Sequence, residues 1–200
     1  MKTLLQINSS LFSGEGQSSQ LASRFVSHWQ AANPKGQVKV RDLSHDPVPH
    51  LTAKRFQAFQ VAPQDRTTEQ AQLVAQSDEL IAELIQADVV VLGLPMYNFG
   101  IPSSLKAWID HVARAGVTFK YTENGPVGLV QDRPVYLFAA RGGKYLNTPK
   151  DTQTAYITHF FNFIGIRNIE FVYAEGLAMG SEPRAESLST AGEHILRIAA

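Results

Sequence analysis

At 200 residues the chain is long enough for one sizeable core, and 44% hydrophobic against 18% charged residues is ordinary globular composition. Eighteen basic residues balance eighteen acidic ones. That leaves no electrostatic footprint for nucleic acid or an anionic membrane, and it disfavours a small acidic electron carrier that docks by charge. Cysteine is absent, which excludes disulfides, thiolate nucleophiles and cysteine-bound metal and fits a reducing cytoplasm.

Lys2 is followed by a short strand-like run and then polar residues, so no signal peptide is expected. Apolar stretches are of strand length, so no membrane span is expected either. Residues 3–7 read as the first strand. Residues 8–20 are dense in Ser and Gly, and a helix follows at once with Leu21, Phe25, Val26 and Trp29 on one face. Strand, Ser/Gly loop and helix is a layout that receives phosphate, because the first helical N–H groups lack partners and the dipole favours an anion. Ser18 or Ser19 is the expected N-cap. A capped turn without ligand carries the same signature. No G-x-x-x-x-G-K-[ST] occurs, and Gly14-x-Gly16-x-x-Ser19 breaks the dinucleotide fingerprint at its third glycine. Neither a nucleoside triphosphate nor Rossmann-bound NAD is expected there.

Residues 37–43 alternate and read as an edge strand. Residues 44–66 carry Pro47, Pro49 and Pro63 without a clear period, and are expected to form a partly helical pocket wall. His45 and His50 lie in it with no third ligand at metal spacing, so they read as loop histidines. Residues 67–87 are helical, capped by Thr67 or Thr68, with Leu73, Val74, Leu80, Ile81, Leu84 and Ile85 on one face.

Residues 89–92 are branched and apolar, as in a strand buried on both faces, and Pro95 is expected to end its ladder. Met96, Tyr97, Asn98, Phe99 and Gly100 then make a loop too apolar for an ordinary solvated turn. Beyond the carboxyl end of a strand, two aromatic faces, a thioether and one amide suit a flat heteroaromatic ring. Packing under a neighbouring loop is the plainer alternative. Pro102 opens a helix with Leu105, Trp108, Ile109 and Val112 inward. Asp110, His111 and Arg114 fall on its remaining arc, expected in solvent or at a subunit contact. Residues 116–126 read as a hairpin with Tyr121 at its tip, in reach of a pocket mouth.

Residues 135–139 form the fourth core strand, ending in Ala140, Arg141, Gly142 and Gly143. Two glycines permit close backbone approach to a ligand and can aim N–H groups inward, although an ordinary turn uses them too. Residues 151–164 are helical with Tyr156, Ile157, Phe160, Phe161 and Ile164 inward. A fifth strand (168–173) and a closing helix (182–198) complete the chain. Strands and helices alternate without a linker. The expected fold is α/β, one domain over residues 1–200: a flavodoxin-like, doubly wound five-stranded parallel sheet of order 2-1-3-4-5 with helices on both faces. A phosphoacceptor receiver shares that order, but its first strand would end in acidic residues, not Asn8, Ser9 and Ser10. In that order the first, third and fourth strands lie together. Their carboxyl ends bring an anion site, an aromatic wall and backbone donors to one edge, which matches the parts of FMN.

The same residues carry a family resemblance. Met96-Tyr97-Asn98-Phe99, the run Ala-Arg-Ala-Gly-Val-Thr-Phe-Lys-Tyr-Thr-Glu-Asn-Gly-Pro at 113–126, and Arg141-Gly142-Gly143 resemble the FMN-dependent NADH:quinone oxidoreductases, also called azoreductases. Phe163-Ile164-Gly165-Ile166 and Ala174-Glu175-Gly176 extend the likeness over essentially the whole chain. The resemblance implies bound FMN and reduction by NADH or NADPH. It implies reduction of quinones and reductive cleavage of azo compounds, in a homodimer whose active sites lie at the subunit interface. Because the nicotinamide must leave before the acceptor stacks on the same ring face, ping-pong kinetics and two-electron reduction are expected. By motif, the phosphate falls to Ser10, Gly16, Gln17 and Ser18. The ring falls to Met96, Tyr97, Asn98 and Phe99 and to Ala140, Arg141, Gly142 and Gly143. Tyr121 and Phe163 become walls of the acceptor pocket, and no residue is needed as a nucleophile. Gly16 stands where the family usually has a hydroxyl residue, and Ala140 replaces a frequent serine; each missing neutral hydrogen bond is worth about 1 kcal/mol net. Residues 51–64 match the family poorly. The alternative reading is a flavodoxin-type electron carrier or a regulatory flavin-binding module, and neutrality and the hairpin argue against the carrier.

Overall fold

The computed structural model describes residues 1–199. In chain order the strands are β1 (Thr3–Asn8), β2 (Gln37–Asp42), β3 (Val89–Pro95), β4 (Phe119–Thr122), β5 (Gly125–Gly128), β6 (Val135–Ala140) and β7 (Ile169–Ala174). The helices are α1 (Gln17–Ala32), α2 (Ala53–Gln60), α3 (Thr68–Gln86), α4 (Ser103–Val112), α5 (Thr152–Ile164) and α6 (Ser181–Ile198). β2-β1-β3-β6-β7 form one parallel sheet in that order, while β4 and β5 pair antiparallel as a separate hairpin. Counted as five sheet strands this is order 2-1-3-4-5, the flavodoxin-like arrangement expected.

Strand alternation explains the two cores. Leu4, Val91, Phe138 and Val172 point to the face covered by α1 and α6, where Phe25 and Ile195 meet them. Leu5, Val90, Leu92, Leu94 and Leu137 point to the opposite face, under Leu80, Trp108 and Phe161 of α3, α4 and α5. With both faces covered, the strands read as continuous apolar runs. Gly93 interrupts one such run for a steric reason. A Cβ there would lie 3.3 Å from backbone atoms of Ser18 and Ser19, so glycine lets the first turn of α1 lie against β3. Pro95 ends β3 as expected, and the ladder is carried one bond further by Met96 N–H donating to Ala140 O at 3.1 Å.

α3 opens with the expected cap in its reciprocal form: Gln70 N–H donates to Thr67 Oγ1 at 3.2 Å, and Thr67 N–H donates to Gln70 Oε1 at 2.9 Å. The 44–66 segment is partly helical, as expected, and α2 corrects one reading of α4. His111 and Arg114 are not on a solvated arc; they are 0% and 7% exposed because α2 covers them. Phe59 of α2 sets its ring edge-on to His111 (5.9 Å), and the Arg114 guanidinium stacks over it at 5.5 Å. Arg114 also donates to Ser77 Oγ at 2.9 Å and pairs with Asp78. Burial lowers the His111 pKa, and its Nδ1 faces Ala107 O at 2.9 Å. Periodicity also puts two side chains deeper than they lie: Tyr156 is 36% exposed and Ile85 48%, each at the margin of its helix's buried stripe. Among the described residues, no helix is long and apolar enough to cross a membrane.

The hairpin is held by a backbone-to-backbone contact. Val130 N–H donates to Ile164 O at 2.9 Å, and a Cβ on Gly128 would lie 2.1 Å from Gly165 N. Gly128→Ala must therefore push β5 off the end of α5. The expected cost is about 2 kcal/mol or more of unfolding free energy, read by urea denaturation; an unchanged midpoint would contradict this packing.

Candidate functional site

The register of the sheet builds the site. Asn8, at the end of β1, pairs with Gly93, and Pro95, at the end of β3, pairs with Ala140 of β6. The loops after these three strands consequently leave the sheet side by side, at the carboxyl edge where open α/β sheets bind ligands.

After β1 the chain makes one 3-10 turn at Ser13–Glu15 and enters α1. Gly16, not Ser18 or Ser19, is the N-cap, and no side chain caps the helix. Ser18 and Ser19 lie two and three residues further in, fully buried, and their hydroxyls find no partner among the described residues. An unmade buried hydrogen bond costs about 1–3 kcal/mol, so two such hydroxyls beside the free N–H groups of a helix start are a donor set without an acceptor. Their chemistry fits a phosphate. Ser10 explains Gly16: a Cβ at Gly16 would lie 2.1 Å from Ser10 Oγ. The Gly16 N–H is turned to Ser13 O at 3.3 Å, which leaves the following amides to meet an anion.

The loop after β3 is a tight reversal. Tyr97 and Gly100 exchange backbone hydrogen bonds of 3.1 and 3.0 Å, and Asn98 and Phe99 between them both have positive φ, 50° and 62°. This conformation turns Asn98 and Phe99 out, half or more exposed in the case of Phe99 (51%). Tyr97 ties the loop to its neighbour: its hydroxyl lies 3.2 Å from Ser10 Oγ and accepts from Leu11 N–H at 3.2 Å. Met96, Asn98, Phe99, Gly142 and Tyr145 enclose a cavity of about 270 Å³, with Phe99 and Tyr145 edge to face at 5.6 Å.

Beyond β6, Gly142 O and Gly143 O accept from Ala178 and Gly176 N–H, both at 3.0 Å. The N–H groups of the two glycines meet no protein acceptor among the described residues. Ala140 is 7% exposed at the end of β6, and its carbonyl receives Met96 N–H. Arg141 does not face the cavity edge at all. Its guanidinium is wholly buried, donating to Asp151 at 2.8 Å, Glu175 at 3.1 Å and Thr154 at 3.2 Å, and lies 5.1 Å from the Tyr173 ring centroid. Glu175 in turn accepts from Tyr145 and Leu146 N–H at 2.9 and 3.0 Å. Neither Asp151 nor Glu175 is among the site residues expected from sequence: Glu175 stands out there only within the family-like run Ala174-Glu175-Gly176, and the local signal of Asp151 is its place as the N-cap of α5, accepting from Thr154 N–H at 3.1 Å.

Tyr121 and Phe163 lie elsewhere in the chain. Phe119 packs against both, at 5.4 and 4.2 Å between ring centroids. Tyr121, 74% exposed, joins Phe56, Phe59, Arg114 and Phe119 around a separate cavity of about 600 Å³ that shares no lining residue with the first. Among the described residues, no group of three or more His, Asp or Glu side chains could hold a metal ion.

A family model for the flavodoxin-like fold matches residues 1–198. The FMN-dependent NADH:quinone oxidoreductase of Cellvibrio japonicus is 57% identical over 185 residues, covering 92% of this chain and 93% of its own. The chain belongs to this family. The oxidoreductase of the same name from Alcanivorax borkumensis is 53% identical over 193 residues, with 96% and 98% covered. Of solved structures, an azoreductase from Bacillus anthracis superposes with a TM-score of 0.91 at 31% identity, covering 100% of this chain and 99% of its own. An FMN-dependent NADH-azoreductase from Bacillus anthracis in complex with FMN gives 0.87 at 27% identity, with 100% of both chains covered.

The buried Arg141 cluster couples the stability of this chain to pH. Burial raises the Asp151 pKa, but hydrogen bonds from Arg141 and Thr154 outweigh it and hold the carboxyl below its ordinary value. A depressed carboxylate pKa stabilises the fold above the ordinary carboxylate range, and that contribution is lost as pH falls through the depressed value. Arg141→Met should cost roughly 3–5 kcal/mol at neutral pH, by leaving buried carboxylates unpaired. It should also flatten the acid limb of the stability–pH curve, measured by denaturation from pH 7 to 3. A variant with the parent acid limb would contradict the pairing.

Proposed function

We propose that this chain is an FMN-dependent NADH:quinone oxidoreductase that also cleaves aromatic azo compounds, working as a cytoplasmic homodimer. The observation that carries the reading is the convergence of three loops on one sheet edge, with the unpartnered Ser18 and Ser19 hydroxyls at one end and the unpaired Gly142 and Gly143 N–H groups at the other.

Gln17, Ser18 and Ser19 would hold the phosphate, with Ser10 nearby and the α1 dipole favouring the charge. Met96, Tyr97, Asn98 and Phe99 would seat the ring, and the Gly142 and Gly143 N–H groups would meet its polar edge, supported from below by Ala140 and Arg141. FMN, when bound, supplies the chemistry by taking up a hydride from NADH or NADPH and delivering two electrons. The chain's own residues position, desolvate and donate hydrogen bonds, and none is required as a nucleophile. Backbone N–H donors at Gly142 and Gly143 are suited to stabilising negative charge that develops at that edge. Donor and acceptor would share one open face beside Phe99 and use it in turn, which makes the kinetics ping-pong. The apolar cavity at Phe56, Phe59 and Tyr121, set apart from the first within one chain, supports a second copy bringing Tyr121 and Phe163 over the site as acceptor walls.

Steady-state turnover with NADH and benzoquinone should give parallel double-reciprocal lines over many turnovers. Intersecting lines would remove the ping-pong order, and a single slow turnover would move the protein to the electron-carrier class. Ser18→Ala should weaken FMN at least about tenfold, as expected for a hydrogen bond to a charged group, while riboflavin, which lacks the phosphate, binds unchanged. Equal losses for both flavins would contradict the phosphate assignment.

A further inference from the structure

Gln153 is a polar side chain with no exposure, in the first turn of α5. Its Nε2 donates to Pro95 O at 2.8 Å and to Gly100 O at 3.0 Å, and its Oε1 accepts nothing among the described residues. The amide's hydrogen bonds are therefore spent on the two ends of one loop. That loop holds two consecutive non-glycine residues, Asn98 and Phe99, in the left-handed region, which L side chains adopt only when their surroundings impose it. Thr152, the preceding residue, donates to Phe99 O between those ends. Asp151 and Thr154, on the same turn, hold Arg141 beneath the Gly142–Gly143 loop.

We propose that Gln153 is a positioning residue for the flavin ring: its amide cross-ties Pro95 and Gly100 and keeps the Met96–Phe99 loop in the reversal that presents Asn98 and Phe99. The inference rests on the functional reading above. It goes beyond it by assigning the geometry of the ring seat to a residue that lines neither cavity.

Two variants test it. Gln153→Met keeps the length and removes the donors, and Gln153→Asn keeps the amide but falls one methylene short. Amide hydrogen exchange at Tyr97 and Gly100, measured without added flavin, should accelerate about tenfold or more in either variant. Dissociation constants for FMN and riboflavin should both rise, by the same factor of about ten, because the ring and not the phosphate has lost its seat. Unchanged exchange, or flavin affinities within about twofold of the parent in a folded variant, would overturn the proposal. Should Gln153→Met not fold, Gln153→Asn carries the decision by the same readings. If the parent protein binds no FMN, the functional reading falls, and the exchange measurement alone decides whether Gln153 holds the loop.

Discussion

Arg141 brings a guanidinium into an interior from which water is excluded, and the site depends on how that charge is met. Asp151 comes from the start of α5, Glu175 from just beyond β7, and Tyr173 from β7 itself, so burying one cation fixes α5, β7 and the loop after it against the end of β6. A buried ion pair contributes little net stability over an apolar replacement, but breaking one is costly, and the geometry is thereby tightly specified. From α5 the constraint passes to the next loop through Thr152 and Gln153, which bond Phe99, Pro95 and Gly100 carbonyls. From that loop it passes to the first, through the Tyr97 hydroxyl beside Ser10 and Leu11. Three loops distant in sequence are joined by side-chain hydrogen bonds into one rigid edge.

The edge divides its labour. Anion-binding capacity sits on the start of a regular helix, where unpaired N–H groups and the macrodipole come with the secondary structure. Ring-shaped space sits on irregular loops, where positive φ at Asn98 and Phe99 aims side chains outward. Gly16 and Gly93 show how much of this is steric. One leaves room for Ser10, the other lets α1 approach β3, and any side chain at either position would displace the helix start or its neighbour.

The fold was legible because parallel strands buried on both faces must be written as apolar runs, and residues 89–94 and 135–140 are such runs. Loop positions followed from the strand order, and the reciprocal Thr67–Gln70 cap followed from local spacing. Buried polar residues were not legible, because their partners are far away in the chain. Arg114 is covered by Phe59 and paired with Asp78, Arg141 by Glu175, and nothing within a turn of either announces it. His111 is hidden for the same reason: α2 lies in a proline-bearing stretch with no clear period, and nothing local tells that this partly helical stretch packs on α4. Local rules favour serine at a cap and so point to Ser18 or Ser19; the structure puts Gly16 at the cap, where Ser10 leaves no room for a Cβ.

The central claim is that the joined edge of β1, β3 and β6 seats FMN in a form that NADH reduces. The direct measurement is the visible spectrum of the protein loaded with FMN, followed through anaerobic addition of NADH in single equivalents. A bound-flavin spectrum should appear, bleach with one equivalent and return on addition of benzoquinone. A protein that cannot be loaded with FMN would contradict the site itself, and bound flavin that NADH leaves oxidised would contradict the oxidoreductase.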